Sequence, residues 1–324
     1  MSAVTTTAPA VREFRSMTSP VRVTLTDPGS AAQELLDDVE TVFTEVARDC
    51  TRFGPVGPLV AANADPGAWH DAPPALAHAL VQAQRAHRAT DGLFDPRVLD
   101  VLTAWGYDRT LPFTDDGPGP VVEPRRTAAV AGTAPTPWEP RVERRTHGWR
   151  IHLGGVPVDL GGIGKGLAVR WAAAFLARAG QAFLLDAGGD LAVRGPAPHG
   201  GPWRVAVEDP AGGGPRLVLS LDTGGCATSS TRRRRWVCGE QAVHHLVDPR
   251  TRRPGGAGLA AVTVVAADTA WAEVWSKTLF LAGADGVRER AAELGLAAAW
   301  VREDGGVGTT AALDDLVIWR RTDG

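Results

Sequence analysis

The sequence predicts an α+β fold of mixed, largely antiparallel sheets with packed helices. Two observations carry this. Runs of strand length come in hairpin-like pairs, as at 182–187 and the run that follows Gly188-Gly189. The longer segments between them carry apolar residues at helical spacing, without the regular alternation of a doubly wound parallel sheet. The bulk composition, 44% apolar and 22% charged over 324 residues, is that of a globular chain.

Taken in order, residues 1–16 are polar and loose and read as a disordered segment. A single domain is expected over 17–320. Val21–Thr26 (V-R-V-T-L-T) alternates as a strand does. From Ser30 to Arg48, Leu35, Leu36, Val39, Val42, Phe43 and Val46 fall on one helical face. Pro73 to Thr90 reads as a second helix, with Gly92 just past its end. A stretch near 110–146 is dense in Pro, Gly, Thr and Arg, has no period, and reads as a loop. Beyond it, strands are expected at 149–153, 182–187, 203–207, 215–221, 242–247 and 259–266, and helices at 164–179, 268–282 and 285–294.

Several function classes are disfavoured at once. A net charge of −3 does not suit a general binder of nucleic acid or of membrane surfaces. Cys50, Cys226 and Cys238 form neither a disulfide framework nor a metal-type pair, which suits a reducing compartment. The N-terminus has no basic stretch followed by an apolar core, and the run Gly166 to Ala179 is interrupted by Arg170 and Arg178. A cytoplasmic location is therefore expected.

The cations are unevenly drawn. Of 34 basic residues only Lys165 and Lys277 are lysine. In a chain so biased toward arginine, those two are candidates for sites that need a compact ammonium rather than a planar fork. The bland alternative for Lys277, four residues after Glu273, is an ordinary helix pair.

Four motifs could carry chemistry. Val158-Asp-Leu-Gly-Gly-Ile-Gly-Lys-Gly166 ends a strand at Asp159 and opens a helix near Lys165. Amides at such a helix start suit a phosphate, yet the spacing is neither a Walker A loop nor a dinucleotide fingerprint. Leu184-Leu-Asp-Ala-Gly-Gly-Asp-Leu191 is a hairpin turn or a close approach to a ligand. Cys226-Ala-Thr-Ser-Ser-Thr-Arg-Arg-Arg-Arg-Trp236 offers the hydroxyls of Thr228 and Ser229, and in strand geometry at most two of its four arginines face one ligand. His244-His-Leu-Val-Asp-Pro-Arg-Thr251 places His245 three residues before an Asp-Pro turn, where it can act as a general base or a phosphate ligand.

The order and spacing of these motifs, followed by the Ala-Glu-Val-Trp-Ser-Lys-Thr-Leu-Phe-Leu-Ala-Gly helix, resemble the FAD:protein FMN transferase (ApbE) family. Gly92-Leu-Phe-Asp-Pro96 and Trp105-Gly-Tyr107 resemble two further segments of that family, so the likeness runs from about Met17 to about Ala282. The resemblance implies an ApbE-like fold and transfer of FMN from FAD to a Thr or Ser hydroxyl of an acceptor protein, with AMP released and Mg²⁺ bound. FAD hydrolysis to FMN and AMP, or FAD binding without turnover, are the alternatives it leaves. Residue by residue it implies flavin-nucleotide contacts at Met17, Phe53, Leu93, Phe94, Asp95, Asp159, Lys165, Gly188, Gly189, Thr228, Ser229 and Leu246. It implies metal ligation by the Gly162 carbonyl and by Glu273, and catalytic roles for His245 and Asp248.

The chain departs from the family where the metal is expected. Glu273 stands for the family's Asp and Lys277 for its Thr, and a protonated lysine has no lone pair to give a metal. The expectation is that the Lys277 ammonium takes over part of the ion's charge, held by an ion pair to Glu273. Ser230 and Arg252 replace glycines of the family pattern, and a left-handed backbone at Arg252 would be strained.

Overall fold

The computed structural model describes residues 8–114, 117, 119–125 and 137–322. Its central sheet has eight strands that lie side by side in the order in which the chain visits them. They are β1 (Ala10–Ser16), β2 (Ser19–Leu25), β3 (Phe183–Ala187), β4 (Asp190–Arg194), β5 (Thr223–Ser230), β6 (Leu259–Ala266), β7 (Ala297–Arg302) and β8 (Val307–Thr309). Each neighbouring pair is antiparallel.

Alternation along the strands divides two cores. On one side Val23, Leu25 and Leu185 are buried with Phe43 of α1 (Ala32–Cys50), Leu80 of α2 (Pro74–Ala89), Leu167 of α3 (Gly164–Arg178) and Val274 of α4 (Thr269–Leu281). On the other, Leu191, Val193 and Cys226 meet Val205, Leu219 and Leu221 of a three-stranded sheet made by Val317–Arg320, Pro215–Leu221 and Trp203–Glu208. One parallel pair, Val121–Val122 against Arg235–Cys238, makes the architecture mixed. The α+β expectation, largely antiparallel, holds.

Two expectations change. Residues 1–16 are not loose throughout: Ala10–Ser16 is the edge strand β1, in register with β2 from Ala10↔Leu25 to Ser16↔Ser19. Its inward positions are only half covered, and Arg12, between the inward Ala10 and Phe14, bonds Asp37 and Glu40 of α1, so an ion pair interrupts its apolar alternation. Residues 1–7 lie outside the described residues. The stretch 110–146 likewise holds two strands, Val121–Val122 and Arg141–Arg145, each recruited by the backbone edge of a neighbour. Part of it, 126–136 included, lies outside the described residues.

Two tight turns then aim at one place. β1 and β2 are joined by Met17-Thr18, both left-handed at φ 49° and 65°, the pattern of a type I′ hairpin. β3 and β4 are joined by Gly188-Gly189, at φ 67° and 96°. A Cβ on Gly188 would lie 2.9 Å from Ser19 Cβ, so glycine lets the two turns lie against each other.

Candidate active site

The site forms where the start of α3 meets the middle of α4. Gly166 permits the approach, because a Cβ there would meet Ala270 Cα at 2.7 Å. Glu273, buried on α4, reaches across this contact. Its Oε2 accepts from the Gly166 amide at 2.8 Å and its Oε1 from Lys165 Nζ at 3.3 Å. Lys165 is also paired with Asp190, the first residue of β4. Burial opposes the charge on Lys165, but Asp190 and Glu273 outweigh it and raise its pKa. Burial opposes the Glu273 carboxylate too, and the two lysines and the Gly166 amide hold its pKa below the ordinary value.

The helix start therefore does not offer all its amides to a phosphate. The Gly166 N–H, expected to face one, is satisfied by Glu273. The expected ion pair between Glu273 and Lys277 is likewise absent among the described residues, because Glu273 turns to Lys165 instead. Lys277 Nζ lies 3.3 Å from the Gly162 carbonyl oxygen and donates to it. Its Cε and Nζ are 3.1 and 3.2 Å from where a Cβ on Gly162 would stand, with the Phe94 ring 3.3 Å from the same point. Burial lowers the Lys277 pKa.

Asp159 sits beside this cluster. Arg52 Nε donates to its Oδ2 at 2.7 Å and the Gly161 amide to its Oδ1 at 2.6 Å. Burial pushes Asp159 up, but Arg52 and the Gly161 amide more than offset this, and its pKa is lowered. Arg52 also stacks over Phe53 and Tyr107, at 4.2 and 4.8 Å from the ring centroids. Its Nη2 is buried without a partner. Met17 reaches the same neighbourhood, with its Sδ 4.0 Å from where a Cβ on Gly164 would stand.

His245 follows the hairpin that pairs Arg235–Cys238 with Gln241–His244. The Arg234 carbonyl lies 3.1 Å from its amide and 3.3 Å from its Nδ1. A carbonyl only accepts, so Nδ1 carries the proton and Nε2 keeps a lone pair. Burial, then the charges of Arg234 and Lys277, push its pKa well below the ordinary imidazole value. The ring is a neutral base at neutral pH.

Several expected residues stand elsewhere. Asp248 is not hydrogen-bonded to His245. Its Oδ1 accepts from the Arg250 amide and its Oδ2 from Arg250 Nη2, at 2.9 and 2.8 Å, so it fixes the turn after the base. Thr228 and Ser229 point to opposite faces of β5, as strand neighbours must. Ser229 Oγ meets Ser276 Oγ of α4 at 2.9 Å, whereas Thr228 Oγ1 meets Thr263 Oγ1 at 2.8 Å on the other face. Asp95 is bound by Arg97 through its amide and guanidinium. Leu246 is buried with Leu279 and Phe280, whereas Leu93 is half-buried beside Phe94. Sequence reasoning missed Asp190 and Arg52, although Asp190 lies inside a quoted motif, as an acid after Gly-Gly, and Arg52 directly precedes Phe53. Arg252 does take a left-handed backbone, at φ 57°, and its guanidinium pairs with Asp100. Ser230 continues β5, paired with Ala261, and its hydroxyl accepts from the Arg232 amide.

The ApbE family model matches residues 17–300. The chain belongs to the ApbE family. A FAD:protein FMN transferase of Rhodobacter capsulatus is 30% identical to it over 289 residues, covering 87% of this chain and 53% of the relative. Another, of Salmonella typhimurium, is 28% identical over 235 residues, covering 71% of this chain and 66% of the relative. The chain thus spans between half and two thirds of the length of these curated relatives. Two solved structures share the fold. The ApbE protein of Thermotoga maritima superposes with a TM-score of 0.79 at 23% identity, over 95% of this chain and 99% of that one. The apo flavinyl transferase ApbE of Pseudomonas stutzeri gives 0.75 at 22% identity, over 98% and 100%.

In this ApbE chain the expected metal ligands do not suit a divalent cation. The Gly162 carbonyl faces the Lys277 ammonium, and both Glu273 oxygens are taken by Lys165 and the Gly166 amide. An oxygen cage for Mg²⁺ needs free carboxylate or carbonyl donors around an open centre. Among the described residues no cluster of three or more His, Cys, Asp or Glu side chains supplies another. None of the described helices is long and apolar enough to cross a membrane.

Proposed function

We infer that this chain moves FMN from FAD to a Thr or Ser hydroxyl of an acceptor protein. The acceptor oxygen attacks the phosphorus on the riboflavin side of the diphosphate, the bond to the AMP oxygen breaks, and AMP leaves. His245 Nε2 takes the proton from the hydroxyl as the new phosphoester forms.

The single observation that carries this reading is the state of His245. A half-buried neutral imidazole, its tautomer set by the Arg234 carbonyl, stands in the electrostatic reach of Lys277 and Arg234. That pairs a base with cations able to hold a diphosphate during in-line displacement. The relatives named FAD:protein FMN transferase support the same chemistry. Asp159, Met17, Phe53 and the Gly188-Gly189 turn are the groups assigned to FAD around this centre. The buried, unpaired cysteines accord with a cytoplasmic enzyme and acceptor.

The test is FAD turnover by the purified protein, followed by chromatography, with and without a flavin-acceptor domain. AMP released only with acceptor, together with a covalently fluorescent acceptor, is the expected result. AMP at the same rate without acceptor would overturn transfer in favour of hydrolysis.

A further inference from the structure

The two lysines differ in what answers their charge. Lys165 lies between two carboxylates, Asp190 and Glu273. Lys277 has no carboxylate within ion-pair distance among the described residues. It makes one hydrogen bond, to the Gly162 carbonyl, and its other two N–H donors are unpaired. Among the described residues the ammonium thus has one hydrogen-bond partner, a neutral dipole, with Glu273 and Asp190 acting on it only from beyond ion-pair distance, beside a neutral histidine and the electrostatic reach of Arg234. A half-buried ammonium with no carboxylate in contact is a costly arrangement that an anionic ligand relieves.

The length of Glu273 makes room for this. Its two oxygens bond Lys165 and the Gly166 amide at the start of α3, and neither is within ion-pair distance of Lys277. The Lys277 ammonium rests on the Gly162 carbonyl, and it and the Phe94 ring both close on the point where a Cβ on Gly162 would stand.

We propose that Lys277 supplies, as a fixed ammonium on the Gly162 carbonyl, the positive charge that a divalent ion would bring to the FAD diphosphate, so that this chain binds and uses FAD without a metal. This rests on the FAD-dependent reading given above. Lys277 donates its two remaining N–H groups to diphosphate oxygens, and Glu273 keeps Lys165 and the α3 start in place.

Binding of FAD, followed by quenching of flavin fluorescence, tests it on the full chain in Mg²⁺ and in EDTA. The wild-type Kd is expected to agree within about twofold between the two conditions. Lys277→Met, which keeps the stem and removes the charge, is expected to weaken binding by about tenfold or more in both, the scale of one charge-assisted hydrogen bond. The double variant Glu273→Asp/Lys277→Thr is expected to regain affinity in Mg²⁺ only. A wild-type Kd that rises tenfold in EDTA would overturn the proposal, as would Lys277→Met binding FAD like the wild type. Direct titration of the wild type with Mn²⁺, read by electron paramagnetic resonance, checks the same point independently of any variant: stoichiometric binding at this site counts against it. The two readings fail separately. Metal-independent FAD binding with no FMN transfer would sink the transferase reading alone, and transfer that stops in EDTA would sink this inference alone.

Discussion

Glu273 and Lys277 stand one helical turn apart, yet their removal should have unequal consequences for stability. Glu273 holds Lys165 at 3.3 Å and the Gly166 amide at 2.8 Å, and it is buried. In Glu273→Gln one carboxylate oxygen becomes an NH₂ group, which must face either the Lys165 ammonium or the Gly166 N–H, donor against donor. Breaking a buried ion pair costs about 3–5 kcal/mol, and because Lys165 keeps Asp190 the loss should sit at the lower end, about 3 kcal/mol. Lys277→Met removes one hydrogen bond of 3.3 Å, worth about 1 kcal/mol, and also removes an ammonium that burial penalises. Those terms oppose, so its stability should stay within about 1 kcal/mol of the wild type. Urea denaturation without FAD measures both, with equal m-values required for the comparison. If Lys277→Met cost as much as Glu273→Gln, the two residues would be a true ion pair and the withdrawal of Glu273 from Lys277 would be wrong.

His245→Gln should lower FMN transfer by about 10²–10⁴-fold, the usual contribution of a general base, while FAD binding persists. Loss of FAD binding instead would make His245 a ligand. Transfer by the wild type should stay level from about pH 8 down through 6.5, since the His245 base protonates only well below that value. The folded pKa lies below the unfolded one, so the unfolded state takes up its proton first and stability should decline as pH falls below 6.5. Thr18→Gly should raise stability by about 1 kcal/mol by relieving a β-branched residue at φ 65°, and no shift in the urea midpoint would mean the turn is unstrained. Arg252→Gly should be nearly neutral, since relief at φ 57° offsets the lost pair with Asp100, whereas Arg252→Val should lose about 2 kcal/mol by losing the pair and keeping the strain. Equal effects of the two Arg252 variants in the same urea assay would refute that reading.

What the sequence shows of this fold follows where apolar burial is periodic. Leu36, Val39, Phe43 and Val46 mark α1, and the alternation of Val21, Val23 and Leu25 marks β2, because each buries one face in a core. Strand β1 and Arg141–Arg145 escape because charged side chains interrupt the apolar alternation of the one and dominate the other, and their strand state is imposed by a neighbour's backbone. The site is legible as a set of motifs but not as a set of bonds. Glu273 and Lys277, four apart, invite a local pair, and the structure prefers Lys165, 108 positions away, because α3 crosses α4 at Gly166. Asp248 shows the reverse: the family resemblance gives it a catalytic role beside His245, while in the fold Arg250, two residues on, takes both its oxygens.

A final variant asks why lysine survives at 277 in a chain that otherwise prefers arginine. Lys277→Arg keeps the charge, so a site that needed only positive potential would accept it. The space argues otherwise. The ammonium and its Cε lie 3.1–3.2 Å from a point on Gly162 that the Phe94 ring already approaches at 3.3 Å. A guanidinium is planar, longer and broader, and cannot enter that gap while donating to the Gly162 carbonyl. It would turn outward or displace Phe94, and either movement takes the charge from where the diphosphate is held. Lys277→Arg should therefore bind FAD about as weakly as Lys277→Met, a loss of roughly tenfold. Fluorescence titration of both variants beside the wild type decides it. Full affinity in Lys277→Arg would show that the site reads charge alone, and the persistence of lysine there would then have no steric cause.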